Sequence, residues 1–159
     1  MISKSHLRLC AIVAGLFLIA AAADVRAQQQ SESNAVSAAN HAFDMALSAR
    51  DIVAMEKVWA TEPHVIAIHP ASKALIVGWD AVRKSWEGTF DRFAEISVSM
   101  KDPQIRVTQN VAWVAGVEMV QGKSRSGEPV SFAAFTTNLY EKRDGRWLMV
   151  LHTTSRVPQ

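Results

Sequence analysis

The chain has 159 residues, 49% of them hydrophobic and 20% charged, which is the length of about one domain with enough apolar material for its own core. Setting aside the N-terminal segment described next removes Lys4, Arg8 and Arg26 from the 17 basic residues and Asp24 from the 15 acidic ones, so the two signs balance. A balanced surface with no basic run longer than Lys142-Arg143 excludes a nucleic-acid partner as an expectation and gives no electrostatic reason to lie on an anionic membrane.

The chain opens with Lys4 and Arg8, an apolar run over residues 9–23 and then Val25-Arg26-Ala27, which meets the small-x-small rule of signal cleavage. Residues 1–27 are therefore expected to be a signal peptide, and the mature protein periplasmic or secreted. The apolar run is shorter than the about 20 residues of a bilayer-spanning helix, so no membrane attachment is expected after cleavage. Cys10, the one cysteine, leaves with this segment. The mature chain then has neither disulfides nor thiolate metal ligands, and hydrophobic packing must hold it.

Residues 28–33 are all polar, have nothing to bury and predict a flexible leader, with the domain itself spanning 34–158. From Asn34 the spacing of Val36, Ala39, Asn40, Phe43 and Leu47 predicts a helix, with Ser33 or Asn34 as its cap. Asp51 can cap a second, shorter helix whose Ile52, Met55, Val58 and Trp59 share a face, and Pro63 stops it. Val65, Ile66 and Ile68, bounded by Pro63 and Pro70, predict a strand over 64–69, with 74–77 as its hairpin mate. After Gly78 the helical period returns with Trp79, Val82, Trp86, Phe90 and Phe93, while Asp80 with Lys84 and Arg83 with Glu87 mark the solvated side.

Four long strands follow, at about 95–107, 111–122, 130–142 and 147–156, separated by Asn110, by Ser126-Gly127-Glu128-Pro129 and by Asp144-Gly145. Pro103 cannot donate a ladder hydrogen bond and predicts a bulge or an edge. In the middle two strands both parities are largely apolar: Trp113, Ala115, Val117 and Met119 on one side, Ala112, Val114, Gly116 and Val120 on the other. Such a sheet needs two covers. The helices supply one and a second copy of the chain the other, so a homodimer packed through its sheets is predicted.

The order of elements, and the residues Val58-Trp59-Ala60, His64-Val65-Ile66, Gly78-Trp79-Asp80-Ala81-Val82, Trp86 and Arg143-Asp144-Gly145-Arg146-Trp147 leading to His152, Ser155 and Pro158, resemble the SnoaL-like branch of the nuclear transport factor 2-like superfamily. Similar endings occur in the association domain of calmodulin-dependent kinase. The resemblance covers roughly residues 34–158. It implies an α+β fold in which three N-terminal helices pack on a strongly curved, mostly antiparallel sheet, forming a cone with one pocket, and it implies a dimer. It implies no single activity, because relatives include ketosteroid isomerase, scytalone dehydratase and polyketide cyclases alongside members that only bind or assemble. The family ending usually carries two or three histidines, whereas Leu151 and Thr153 flank a single one here.

Within that frame His152 is the first candidate for acid/base work, since an imidazole in a pocket titrates near neutrality. Strand parity groups it with Leu148, Val150 and Thr154, and sets Met149, Leu151 and Thr153 on the other side. The plainer alternative is a histidine bonded for structural reasons. His69, before Pro70, is placed to face the pocket mouth or to be an ordinary loop histidine. Glu118 is the one carboxylate in an apolar strand; pointing inward, burial would raise its pKa and suit it to proton transfer, and at a bulge it would face water. Asp44 is the weaker acid, on a side of its helix expected to be polar. His41 and His64 resemble surface histidines, and Ser155 lacks a nucleophile-elbow sequence. Phe43, Trp59, Trp79, Trp86 and Phe90 are candidates for an aromatic wall, most of them expected to be core. No metal-ligand spacing appears and no cofactor is expected. Two functions remain open: a cone that binds a small, mainly apolar ligand, with or without cofactor-free isomerase, dehydratase or cyclase chemistry, and a non-catalytic ligand-binding or assembly module.

Overall fold

A computed structural model describes residues 4–158, with side chains from Asp24 onward. The first helical stripe forms as spaced: Val36, Asn40, Phe43 and Leu47 are buried on α1 (Lys4–Ala49). The helix begins before the predicted cap, however. Residues 28–33, expected as a flexible leader, are a helical part of α1, and Ser33 and Asn34 lie inside it. Glu32 supplies the physical reason, because its carboxylate pairs with Lys142 Nζ and accepts from Trp147 Nε1 at 2.9 Å. Of the signal-peptide expectation, residues 1–3 and the side chains through Ala23 lie outside the described residues. Among the described residues no helix is long and apolar enough to cross a membrane.

Asp51 caps α2 (Ile52–Val58), accepting from the backbone N-H groups of Val53 and Ala54 at 2.9 and 3.0 Å. The strands β1 (Ile66–Ile68) and β2 (Ile76–Val77) form the expected hairpin but are shorter than the apolar runs that predicted them. On α3 (Trp79–Phe90) the residues Trp79, Val82, Trp86 and Phe90 are buried. Phe93 belongs instead to the next strand, since Asp91 closes the helix and the three-residue offset from Phe90 continues past its end.

The strands β3 (Phe93–Thr108), β4 (Val111–Ser124), β5 (Pro129–Arg143) and β6 (Arg146–Arg156) complete one six-stranded sheet in the order β2-β1-β6-β5-β4-β3. All pairings are antiparallel except β1 with β6, which sets Ala67 opposite His152. Asp144 and Gly145, with φ of 49° and 76°, make the tight β5-β6 hairpin that their residue types predict. At Pro103 the register steps from Lys101 opposite Val117 to Gln104 opposite Ala115, three residues against two, so the expected bulge is present.

The sheet curls without closing, and its β3 edge meets α1. Asn40, Asp44 and Ser48 recur every four residues along that helix. Ser48 Oγ accepts from Val98 N at 2.9 Å and Asp44 Oδ2 from Met100 N at 3.2 Å, so two donors on the open edge are satisfied by side chains. A Cβ at Gly122 would stand 2.2 Å from the Glu95 carbonyl oxygen, so only glycine allows β3 to fold this closely over β4.

The concave face holds the core, including Phe43, Met55, Trp59, Val82, Trp86, Tyr140 and Met149. The opposite face leaves Trp113 and Phe135 40% and 55% exposed. One predicted parity is overturned. Leu139 pairs with Leu151 but Tyr140 pairs with Met149, so Val150 is an extra residue on β6. The bulge switches the facing: Trp147 and Met149 before it and His152 and Thr154 after it are buried with the inward residues of β5, while Leu148 is half-buried on the other side.

Candidate functional site

His152 is 1% exposed, packed between Phe43 and Trp86 with ring centroids 5.0 and 5.3 Å away. Its Nδ1 lies 2.8 Å from Asn138 Oδ1. The direction of that bond follows from its neighbours. Tyr140 donates its hydroxyl to Asn40 Oδ1 at 3.0 Å, and Asn138 Nδ2 donates to the same oxygen at 2.8 Å. Asn138 thus presents its carbonyl oxygen to the imidazole, so the proton sits on Nδ1 and Nε2 keeps its lone pair. Burial, and secondarily the neighbouring His69, holds the His152 pKa down to about 3. The ring is neutral at physiological pH.

His69 is brought to the same place by the parallel β1-β6 pairing, which continues to Ile68 opposite Thr153. Its ring stands edge-on to Trp86, centroids 4.4 Å apart, and 6.2 Å from the His152 ring. Ser85 gives its hydroxyl proton to the Val82 carbonyl at 2.6 Å and must therefore accept from His69 Nε2 at 2.9 Å. The lone pair of His69 is then on Nδ1. Burial, helped by the positive charge of Arg92, lowers its pKa to about 4.

Glu118 does point inward. It lies on the β4 parity of Val114 and Val120, is 3% exposed, and its Oε1 has no hydrogen-bond partner within the protein. Burial first, and the charge of Asp44 second, raise its pKa to about 8, so it carries a proton at pH 7. Asp44 itself corrects the expectation of a polar helix side. It is buried because the Asn40-Asp44-Ser48 stripe faces β3, and burial raises its pKa to about 6 although Met100 N bonds it.

These three candidates share one cavity of about 270 Å³. His152 and Thr154 on β6, His69 after β1 and Glu118 on β4 supply its polar lining. Leu47, Trp86, Ile96, Val98, Val120 and Phe132 supply apolar walls, and the exposed side chains of Arg92 and Arg156 stand at its rim. Of the five aromatic candidates Trp86 lines the cavity. Phe43, Trp59, Trp79 and Phe90 are core residues that do not reach it. His41 and His64 are exposed, the latter 3.4 Å from a Glu62 oxygen, and Ser155 belongs to the outer face. Among the described residues no three His, Cys, Asp or Glu side chains converge as a metal-ligand set.

Sequence reasoning missed Asn138, Tyr140, Thr136, Arg92 and Arg156. Asn40, sitting in an apolar helical stripe, was the available signal that the core holds a polar partner. The rim arginines had no signal, because their strand and helix ends meet only after the sheet curls.

Residues 36–159 match the family model of the SnoaL-like domain. The F-box protein SKIP8 of Arabidopsis thaliana is 28% identical over 123 residues, covering 77% of this chain and 50% of its own length. The chain thus spans about half the length of that curated relative. Among solved structures, an NTF2-like superfamily protein from Salmonella enterica serovar Typhimurium superposes with TM-score 0.72 at 15% identity, covering 85% of this chain and 94% of the other. A ketosteroid isomerase-like protein from Erwinia carotovora atroseptica gives 0.69 at 18%, covering 80% and 98%. The association domain of C. elegans CaMKII gives 0.66 at 22%, also covering 80% and 98%. At these identities the likeness is one of fold.

Proposed function

The chain belongs to the SnoaL-like domain family, and from that premise we propose an exported protein whose cone binds a small, mainly apolar molecule and moves a proton on it without a cofactor. One observation carries this reading: His152, His69 and Glu118, from three separate strands or strand ends, line one cavity. Their protonation is complementary. Two neutral imidazoles offer lone pairs, and a buried carboxyl offers a proton.

In the chemistry this supports, His152 Nε2 accepts a proton from a carbon next to a carbonyl. The Glu118 carboxyl donates a hydrogen bond to that carbonyl oxygen as negative charge develops. Return of the proton to a different carbon isomerises the substrate. If Glu118 instead gives its proton to a departing hydroxyl, the products are water and a carbon-carbon double bond. Glu118 Oε1 and Trp86 Nε1, both without partners in the protein, are groups that polar ligand atoms can satisfy. A thermal-shift screen of small carbonyl and hydroxy compounds supplies ligands. Proton NMR in D2O then follows exchange of their carbon-bound hydrogens. Catalysed exchange lost in the His152→Gln, Glu118→Gln double variant supports the mechanism, and exchange that survives it removes these residues from the chemistry.

A second reading rests on the outer face of the sheet. Trp113 and Phe135 are exposed there, beside a depression of about 510 Å³ lined by Lys101, Ala115, Val117, Phe135 and Thr137. Such a face suits a homodimer or a larger assembly, and the CaMKII association domain shares the fold. Light scattering at micromolar concentration is expected to give a dimer that Phe135→Asp dissociates; a native monomer refutes it. Periplasmic or extracellular placement is tested by N-terminal sequencing of the exported protein, with a new terminus at about Gln28 expected.

A further inference from the structure

We propose that the ligand of this cone is an apolar-bodied monocarboxylate, its carboxylate held at the rim by Arg92 and Arg156 and its body inserted toward His152 and Glu118. The inference rests on the reading of the cone as a ligand site and names its substrate class.

Some arginines of the surface are already committed to carboxylates. Arg83 is paired with Glu56 and Glu87, and Arg143 with Glu62 and Glu141. Among the described residues neither Arg92 nor Arg156 has a carboxylate within salt-bridge distance. Both are nevertheless held in place. Arg92 Nη2 donates to Thr89 Oγ1 at 3.0 Å, and the Arg156 guanidinium lies over Phe132, 4.2 Å from the ring centroid. Thr89 and Phe132 line the same cavity. Two fixed, unpaired cations therefore stand at one opening.

The interior has the opposite character. Glu118 is the one acidic residue of the lining and holds its proton, and both histidines are neutral. An anion driven to the bottom would lose its hydration with no countercharge to replace it. An anion at the rim meets two planar donor forks suited to carboxylate oxygens. These two tendencies orient the ligand, charge outward and hydrocarbon inward. A carboxylate is favoured over a dianionic phosphate because α3 ends at this rim, where the negative end of its dipole opposes a second negative charge. At about 270 Å³ the cavity is small for a ligand pocket, which fits one fused ring pair or a chain of similar bulk.

The test is isothermal titration of the full chain with three probes of one shape: 2-naphthoate, neutral 2-naphthalenemethanol and cationic 2-naphthylmethylamine. Native protein is expected to bind the acid about tenfold more tightly than the alcohol and the amine most weakly. In the Arg92→Gln, Arg156→Gln double variant the preference for the acid is expected to disappear while the affinity for the alcohol holds, which also reports an intact fold. If the alcohol binds native protein as well as the acid, or if the preference survives the double variant, the carboxylate inference is overturned and the cone remains a ligand site. If none of the three binds native protein, the ligand-site reading fails and this inference with it.

Discussion

Two sets of buried polar groups lie on the concave face of this sheet, and they are built on opposite plans. In the relay from Tyr140 through Asn40 and Asn138 to His152, each of the donors named finds an acceptor at 2.8 to 3.0 Å. In the carboxyl pair of Asp44 and Glu118, one oxygen of each residue has no partner and both pKa values are raised. A satisfied network fixes a structure, because a missing member leaves donors stranded in low dielectric. An unsatisfied pair holds a proton at neutral pH, because desolvation and, for Glu118, the neighbouring charge of Asp44 both disfavour its loss. The relay thus orients one nitrogen of His152 so that the other keeps its lone pair, and in the proposed reaction the carboxyl pair would supply the acid.

Breaking the relay should have the largest effect. Asn40→Leu strands Asn138 Nδ2 and the Tyr140 hydroxyl, and a loss of about 2–5 kcal/mol is expected in urea unfolding. A loss below about 0.5 kcal/mol would show that the relay is not structural.

The carboxyl pair is tested next, by pH. Glu118 has an ordinary pKa of 4.5 and a folded pKa of about 8, so between these values the folded state binds more protons than the unfolded chain. Stability contributed in this way is lost as pH rises. The histidines have the reverse sign: with folded pKa values of about 3 and 4 against 6.5, they bind fewer protons when folded and weaken the fold as pH falls below 6.5. At pH 6.5 the unfolded histidines are still half protonated, so their opposing effect fades by about pH 7.5 and the carboxyl effect stands alone above that. A net fall on the order of 1 kcal/mol from pH 6.5 to 8 is expected, and Glu118→Gln should abolish it while steepening the loss on the acid side. An unchanged slope in that variant would place the titration elsewhere.

At the boundary between the two sets, Thr136 Oγ1 donates to Thr154 Oγ1 at 3.0 Å. Thr136→Val removes one neutral bond and should cost about 1 kcal/mol. The smallest effect belongs outside the core. Glu32→Gln weakens the contacts that hold α1 against Lys142 and Trp147, and a slight fall in Tm that shrinks further in high salt is expected.

The inward facing of His152 was readable in its strand, yet the parity used to place it failed toward Leu148. An extra residue at Val150 changes which neighbours share its face, and no turn residue or proline marks that bulge. Pro103 did mark the bulge between Lys101 and Gln104, because an imino nitrogen cannot join a ladder wherever it falls. Asp44 was misplaced for a related reason. Helical spacing identifies a buried stripe by its apolar members, whereas Asp44 and Ser48 are held inward by bonds to the open β3 edge and Asn40 by bonds to β5. The sequence likewise offered five aromatic residues with no means of telling the one cavity wall, Trp86, from four core residues.

By itself the sequence determined what is local and periodic: three helices, the order and approximate extent of six strands, the Asp51 cap, the Asp144-Gly145 hairpin, the absence of thiols after residue 10 and the identities of the titratable groups. Tertiary structure alone decided how far the sheet curls, which oxygen faces which nitrogen and where charge is left unpaired. Those properties depend on the meeting of residues as distant in the chain as Asn40 and Asn138, and on desolvation that exists only once the helices and the curled sheet have packed around them.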